Sequence, residues 1–160
     1  MQKDRFRRLI FLVCGFFLLT GIFNSCGKEA KEVLYKFGCL TADFTPPGDI
    51  ADPELRDVYK KLLGDLTNDI FDLHLDNLYG VEIAPKALRA EDEKWLAEYN
   101  RHLPEVKALE ATYRKRISEI EKNSGASFFV KVTYLLYRSA PGNTSDGVLL
   151  QQYDFELNYN

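Results

Sequence analysis

Val33–Phe44 reads VLYKFGCLTADF, and its alternation decides how the rest of the chain is understood. Val33, Tyr35, Phe37 and Cys39 fall on one side, with Leu34, Lys36 and Gly38 between them. A period of two belongs to a half-buried strand. Thr45-Pro46-Pro47-Gly48-Asp49 ends it, because prolines offer no N–H to a ladder. The period then changes. Asp52 is placed to cap a helix whose first residue is Pro53, where a missing N–H costs nothing. Leu55, Tyr59, Leu62, Leu66, Ile70 and Leu73 recur every three or four residues and share one face.

Gly80 is the expected stop of this helix, and residues 80–90 the expected connection. A second long helix is expected over Glu91–Lys122, with Trp95, Tyr99, Val106, Leu109, Tyr113, Ile117 and Ile120 as its buried seam. Pro104 predicts a kink or break near Asn100–Leu103. The chain closes in strands. Phe128–Tyr137 is rich in aromatic and β-branched residues, and in Val148–Tyr159 the alternation puts Leu149, Tyr153, Phe155, Leu157 and Tyr159 on one face. Ala140–Gly147 is the expected hairpin loop. The order β-α-α-β-β implies an α+β fold, a small antiparallel sheet covered on one side by two long helices.

The start of the chain has a different character. Met1–Arg8 carries Lys3, Arg5, Arg7 and Arg8 against Asp4, an apolar run follows from Leu9, and Thr20, Gly21 and Ser25 precede Cys26. A basic start, a short apolar stretch and a small residue at the exit describe a secretory signal peptide. Leu9–Phe23 is shorter than the ~20 apolar residues needed to span a bilayer core, so a transmembrane helix is the weaker reading.

Phe23-Asn24-Ser25-Cys26 resembles the lipobox of bacterial lipoproteins, with Phe23 where that family usually has leucine. The resemblance implies that residues 1–25 are a lipoprotein signal peptide and that Cys26 becomes the acylated (palmitate-bearing) N-terminus. It also implies a protein held at the envelope of a Gram-negative bacterium by its acyl chains. Gly27, in place of aspartate after the cysteine, is compatible with passage to the outer membrane. The alternative is cleavage near Ser25, leaving a soluble secreted protein with Cys26 free. On the lipoprotein reading residues 26–32 form the lipidated cysteine and its tether, and residues 33–160 form one domain.

Charge narrows the choice of partner. The chain has 21 basic and 24 acidic residues, of which four and one precede Cys26, leaving 17 against 23 and a net charge near −6. Such a balance argues against nucleic acid and against anionic lipid as partners for a basic face. Membrane attachment would come through the acyl chains on Cys26. Once the leader and Cys26 are accounted for, Cys39 is the single remaining thiol, and its apolar context reads as a small buried hydrophobe.

No catalytic motif is visible. Asp72-Leu73-His74-Leu75-Asp76 invites a metal reading, but residues two apart on a helix point about 200° from each other, so these three side chains share no site unless the helix has ended. His102 lies beside Pro104 without a recognised ligand set. No Gly-x-Ser-x-Gly, His-Glu-x-x-His or phosphate-loop pattern occurs, and no cofactor or metal is expected.

The constellation that departs from local preference is acidic. Asp65, Asp69, Asp72 and Asp76 follow at spacings of four, three and four, with no lysine or arginine interleaved. On a helix they would form one flank of like charges, a solvated face or a ridge that docks a basic protein partner. Phe71, Leu75 and Leu78 lie off the buried face of the same helix, to be covered either by Val81 and Ile83 of the connection or by that partner. The sequence therefore favours a lipid-anchored, non-enzymatic binding or adaptor module, an accessory subunit or inhibitor, with Asp65, Asp69, Asp72, Asp76, Phe71 and Leu75 as its candidate surface. A small lipid-anchored hydrolase with a site assembled from scattered residues is the alternative.

Overall fold

The computed structural model describes residues 30–141 and 143–158. Cys26 and the leader lie outside the described residues. Strand β1, Lys31–Phe44, leads into helix α1, Pro53–Asp72, and strand β2, Leu78–Ile83. Helix α2, Leu88–Ser124, follows, and strands β3, Val130–Ala140, and β4, Asn143–Leu157, close the chain. The sheet is antiparallel throughout, in the order β2-β1-β3-β4. The class is α+β, an open antiparallel sheet with two helices.

Both helices lie on one face of this sheet. Tyr35, Phe37 and Cys39 of β1 point inward beside Val132, Tyr134 and Leu136 of β3, and Phe155 and Leu157 of β4 complete the layer. Tyr59, Leu62 and Leu66 of α1 and Tyr99, Val106, Tyr113 and Ile117 of α2 meet them. Each such side chain contributes roughly 1.5–3 kcal/mol on leaving water. Aromatic pairs align the layers: Tyr35 stacks on Trp95 at 5.2 Å, and Tyr59 on Phe128 at 4.5 Å.

Asp52 caps α1 as its position demands, accepting from the Glu54 N–H at 2.9 Å ahead of Pro53. The other end differs from expectation. The helix stops at Asp72, and His74 takes the left-handed conformation (φ 52°) with its N–H on the Phe71 carbonyl at 2.9 Å. Gly80 instead lies inside β2, a strand where a connection is expected from the sequence. The six residues of β2 pair with Lys31–Lys36, turning Tyr79, Val81 and Ile83 toward the helices. The order is thus β-α-β-α-β-β.

Pro104 does not interrupt α2, which runs through it from Leu88 to Ser124. The turns on either side are fastened by packing, since Tyr99 and Val106 are fully buried. Tyr99 also stacks on Tyr134 at 4.2 Å, and each hydroxyl donates to the other's carbonyl, at 3.2 and 3.3 Å. These contacts hold the helix to β3 just before the proline, so its lost hydrogen bond does not become a break. Gly125, at φ 69°, ends α2 with its N–H on the Glu121 carbonyl.

β4 also departs from its expected pattern. The register slips between Leu136 and Tyr137, so that Leu136 faces Gln151 but Tyr137 faces Leu149. The extra residue, Leu150, packs against the core, and Leu149 lands on the opposite face from Tyr153, Phe155 and Leu157. The hairpin is tighter than Ala140–Gly147, because Ala140 already pairs with Asn143. Tyr159 lies outside the described residues.

Candidate functional site

The acidic flank is divided by the fold. Asp65 accepts from Arg116 Nη2 at 2.6 Å, and Asp69 accepts from the Tyr113 hydroxyl at 2.6 Å. Both donors come from α2. Burial, then the bond to Asp69, pushes the Tyr113 phenol well above its ordinary range. The bond to Asp65 raises Arg116 further still. These two carboxylates therefore fasten helix to helix. Asp72 closes α1 and Asp76 lies beyond it in the loop before β2, both exposed. Leu75 is turned inward and 3% exposed, so it is core, whereas Phe71 is 74% exposed. The αL turn at His74 separates them by redirecting the chain after a single turn. Of the six candidate surface residues, Asp72, Asp76 and Phe71 remain outward.

The outer face of the sheet is the surface that sequence reasoning missed. Leu34, Lys36, Gly38 and Leu40 of β1 point away from the helices, beside Leu78 of β2 and Leu135 and Tyr137 of β3. They line a groove of about 810 Å³. Leu149 extends the apolar strip alongside Tyr137. Gly38 opens the floor, because a Cβ there would meet Leu135 Cδ1 at 3.3 Å. Leu78 and Leu40 are 62% and 45% exposed. Further along, the same face turns polar with Lys131, Thr133, Gln152 and Asp154.

A signal for this groove was present in the sequence. A sheet with one solvated face alternates apolar with polar residues, and strands covered on both faces read as near-continuous apolar runs. Val33-Leu34-Tyr35, Tyr134-Leu135-Leu136-Tyr137 and Val148-Leu149-Leu150 are such runs.

A second cavity of about 450 Å³ adjoins the first, between β1 and the end of α1. Thr41, Thr67, Ile70, Phe71 and His74 line it, and Cys39, Leu40, Asp76 and Asn77 line both cavities. Cys39 sits between them but is 8% exposed, and burial pushes its thiol up to about 11. It is therefore a thiol at neutral pH, a poor nucleophile. A further recess is lined by Glu110, Arg114, Lys131, Asp154 and Glu156, and both of its cations are paired within it, Arg114 with Glu110 at 2.9 Å and Lys131 with Asp154 at 3.4 Å.

The remaining polar groups act in the framework. Asp92 accepts from the Tyr35 hydroxyl at 2.8 Å and pairs with Arg138, tying α2 to β1 and β3. His102 stands between Glu98 and Glu105, 3.2 Å from each, so it does have carboxylate partners at helical spacing. Among the described residues no cluster of three His, Cys, Asp or Glu side chains could hold a metal ion, and no helix is long and apolar enough to cross a membrane. No family model matches the chain, and no curated protein or solved structure matches it either.

Proposed function

We propose that the protein is a lipid-anchored envelope module that binds another protein and carries out no chemistry of its own, its contact surface being the outer face of the sheet. One observation carries this reading: an apolar groove, from Leu34 and Leu78 to Leu135 and Tyr137, lies on the face that the two helices leave uncovered. Contiguous apolar surface of this kind on a folded domain marks an interaction site. Anchorage rests on the leader and Cys26. Lys31 stands five positions after Cys26, a reach of about 17 Å when extended, so a lipidated terminus would hold the sheet close to the membrane surface. Asp72 and Asp76 replace the four-residue ridge as the acidic element offered to a basic partner.

The test combines processing with contact. Mass spectrometry of membrane fractions should find an acylated N-terminal peptide that starts at Cys26. A photo-crosslinker at Leu149 should join the protein to one defined envelope partner, and the same probe at Arg89 of α2 should not. Leu78→Lys, a change at an exposed position that leaves the core intact, should remove the crosslink without altering melting. An unmodified terminus starting elsewhere, or equal crosslinking from both positions, overturns the proposal.

A further inference from the structure

β1 is longer than the strand beside it, and the difference leaves a specific vacancy in the sheet. β2 pairs only with Lys31–Lys36, while β1 runs to Phe44. The Phe37 N–H still reaches the Asn77 carbonyl at 2.9 Å, which identifies the edge toward which the odd-numbered residues point their backbone groups. In a strand the N–H and C=O of alternate residues face the same side, so those of Cys39 and Thr41 face this edge too. Among the described residues no hydrogen bond is made to them from that side. The chain that would have continued β2 turns away at Asp76 into the end of α1.

The two cavities flank this free edge. One lies on the outer face, where Leu40, Leu78 and Leu135 gather, and the other lies toward α1, where Ile70, Phe71 and His74 gather. Beyond Thr41 a bulge at Ala42 shifts the register, and the Phe44 N–H is taken by Asp43 Oδ1 at 2.9 Å, so the free edge is Cys39–Thr41. A strand added beside it would send alternate side chains into the one and the other, as the pleat requires. Asp76 stands at the mouth of both cavities, and Asp43 stands farther along β1, both exposed. We infer that the free edge of β1 from Cys39 to Thr41 is a docking site for an extended segment of a partner protein, apolar along its length and basic at the end nearest Asp76. An acyl chain or a rigid apolar face could fill either cavity but would leave the backbone groups of Cys39 and Thr41 unsatisfied. An extended polypeptide supplies both the ladder and the alternating side chains. This inference rests on the binding-module reading above and names the chemistry of its partner.

The test uses the protein from Lys28 to Asn160 and a set of synthetic eight-residue peptides. These carry Val, Leu, Ile or Phe at alternate positions and a lysine at one end. Binding by at least one of them should slow amide exchange at Cys39 and Thr41 at least tenfold. It should weaken at least tenfold when peptide amides on the edge-facing side are N-methylated, and should not change when those on the far side are. Asp76→Asn should weaken the lysine-bearing peptide several-fold and leave its uncharged counterpart unaffected.

Absence of binding across the set at millimolar peptide overturns the inference, as does binding insensitive to N-methylation on either side. A dimer in sedimentation that Thr41→Pro abolishes would also overturn it, by making a second copy the occupant. If the peptides fail while the Leu149 crosslink persists, the edge is wrong and the binding module stands; if both are silent, the binding-module reading falls.

Discussion

Arg116 Nη2 donates to the Asp65 carboxylate at 2.6 Å across the two helices, and Tyr113, one turn earlier on α2, donates to Asp69, one turn later on α1. Two contacts at matching spacing make a zipper along the outer seam of the helical layer. Carboxylates that repel one another within α1 are thus held in place by donors from α2.

The four aspartates should accordingly separate into two pairs. Asp65→Asn breaks an ion pair whose side chains are more than a third exposed, a loss of about 1 kcal/mol or less that salt should reduce. Asp69→Ala leaves the hydroxyl of fully buried Tyr113 without its acceptor, at a cost of about 1–3 kcal/mol. Asp72→Ala and Asp76→Ala should stay within about 0.5 kcal/mol of the parent. Urea melts of the four single variants check this, and equal effects at all four would contradict the zipper.

Pro104→Ala should stabilise the protein. Pro104 is exposed and helical on both sides, so alanine restores an N–H to the ladder while disturbing no packing. Interior proline costs about 3 kcal/mol relative to alanine, offset by up to about 1 kcal/mol through the stiffness it lends the unfolded chain, which leaves a gain of about 2 kcal/mol. A lower melting temperature would mean that α2 depends on the proline for its path over the sheet.

Deleting residues 151–160 should abolish cooperative unfolding. The deletion takes away Phe155 and Leu157 from the core and the ladder partners of Val130–Leu136. Two such side chains represent roughly 3–6 kcal/mol of burial, and the exposed inner face of β3 adds to the loss, against a typical total of about 5–15 kcal/mol. A truncated chain that melts sharply near the parent temperature would refute the role assigned to β4.

Asp154 should contribute a pH dependence of known sign. Its slight burial acts to raise its pKa, but hydrogen bonds from Thr133 and Gln152 and the charge of Lys131 outweigh it and hold the carboxyl below its ordinary 3.8. A depressed folded-state value contributes stability that is present above 3.8 and lost as pH falls through the folded pKa. Thr133→Val should move the Asp154 titration upward in a carboxyl-carbon NMR experiment and shrink the acid-side loss. No movement would show that Thr133 does not hold this carboxylate.

Much was legible before any coordinates. The period-two pattern of Val33–Cys39, the Asp52-Pro53 start of α1 and the aromatic and leucine seam of α2 each report a face that must leave water, and local spacing suffices to read them. The α+β class was legible from these segments, although the order also has a strand between the two helices. What spacing cannot report is the partner across a gap in sequence. Asp65 is relieved by an arginine 51 residues away, and Leu75 is buried because the αL turn at His74 turns the chain inward. Gly80 suits a helix stop on its own, and only the pairing offered by Lys31–Lys36 draws its six-residue segment into the sheet. The bulge at Leu150 moves Leu149 to the outer face, and the shortness of β2 leaves the edge of β1 open. Hydrophobic period is a property of one segment. Register, edge and groove belong to pairs of segments, and the closure of the whole sheet selects them.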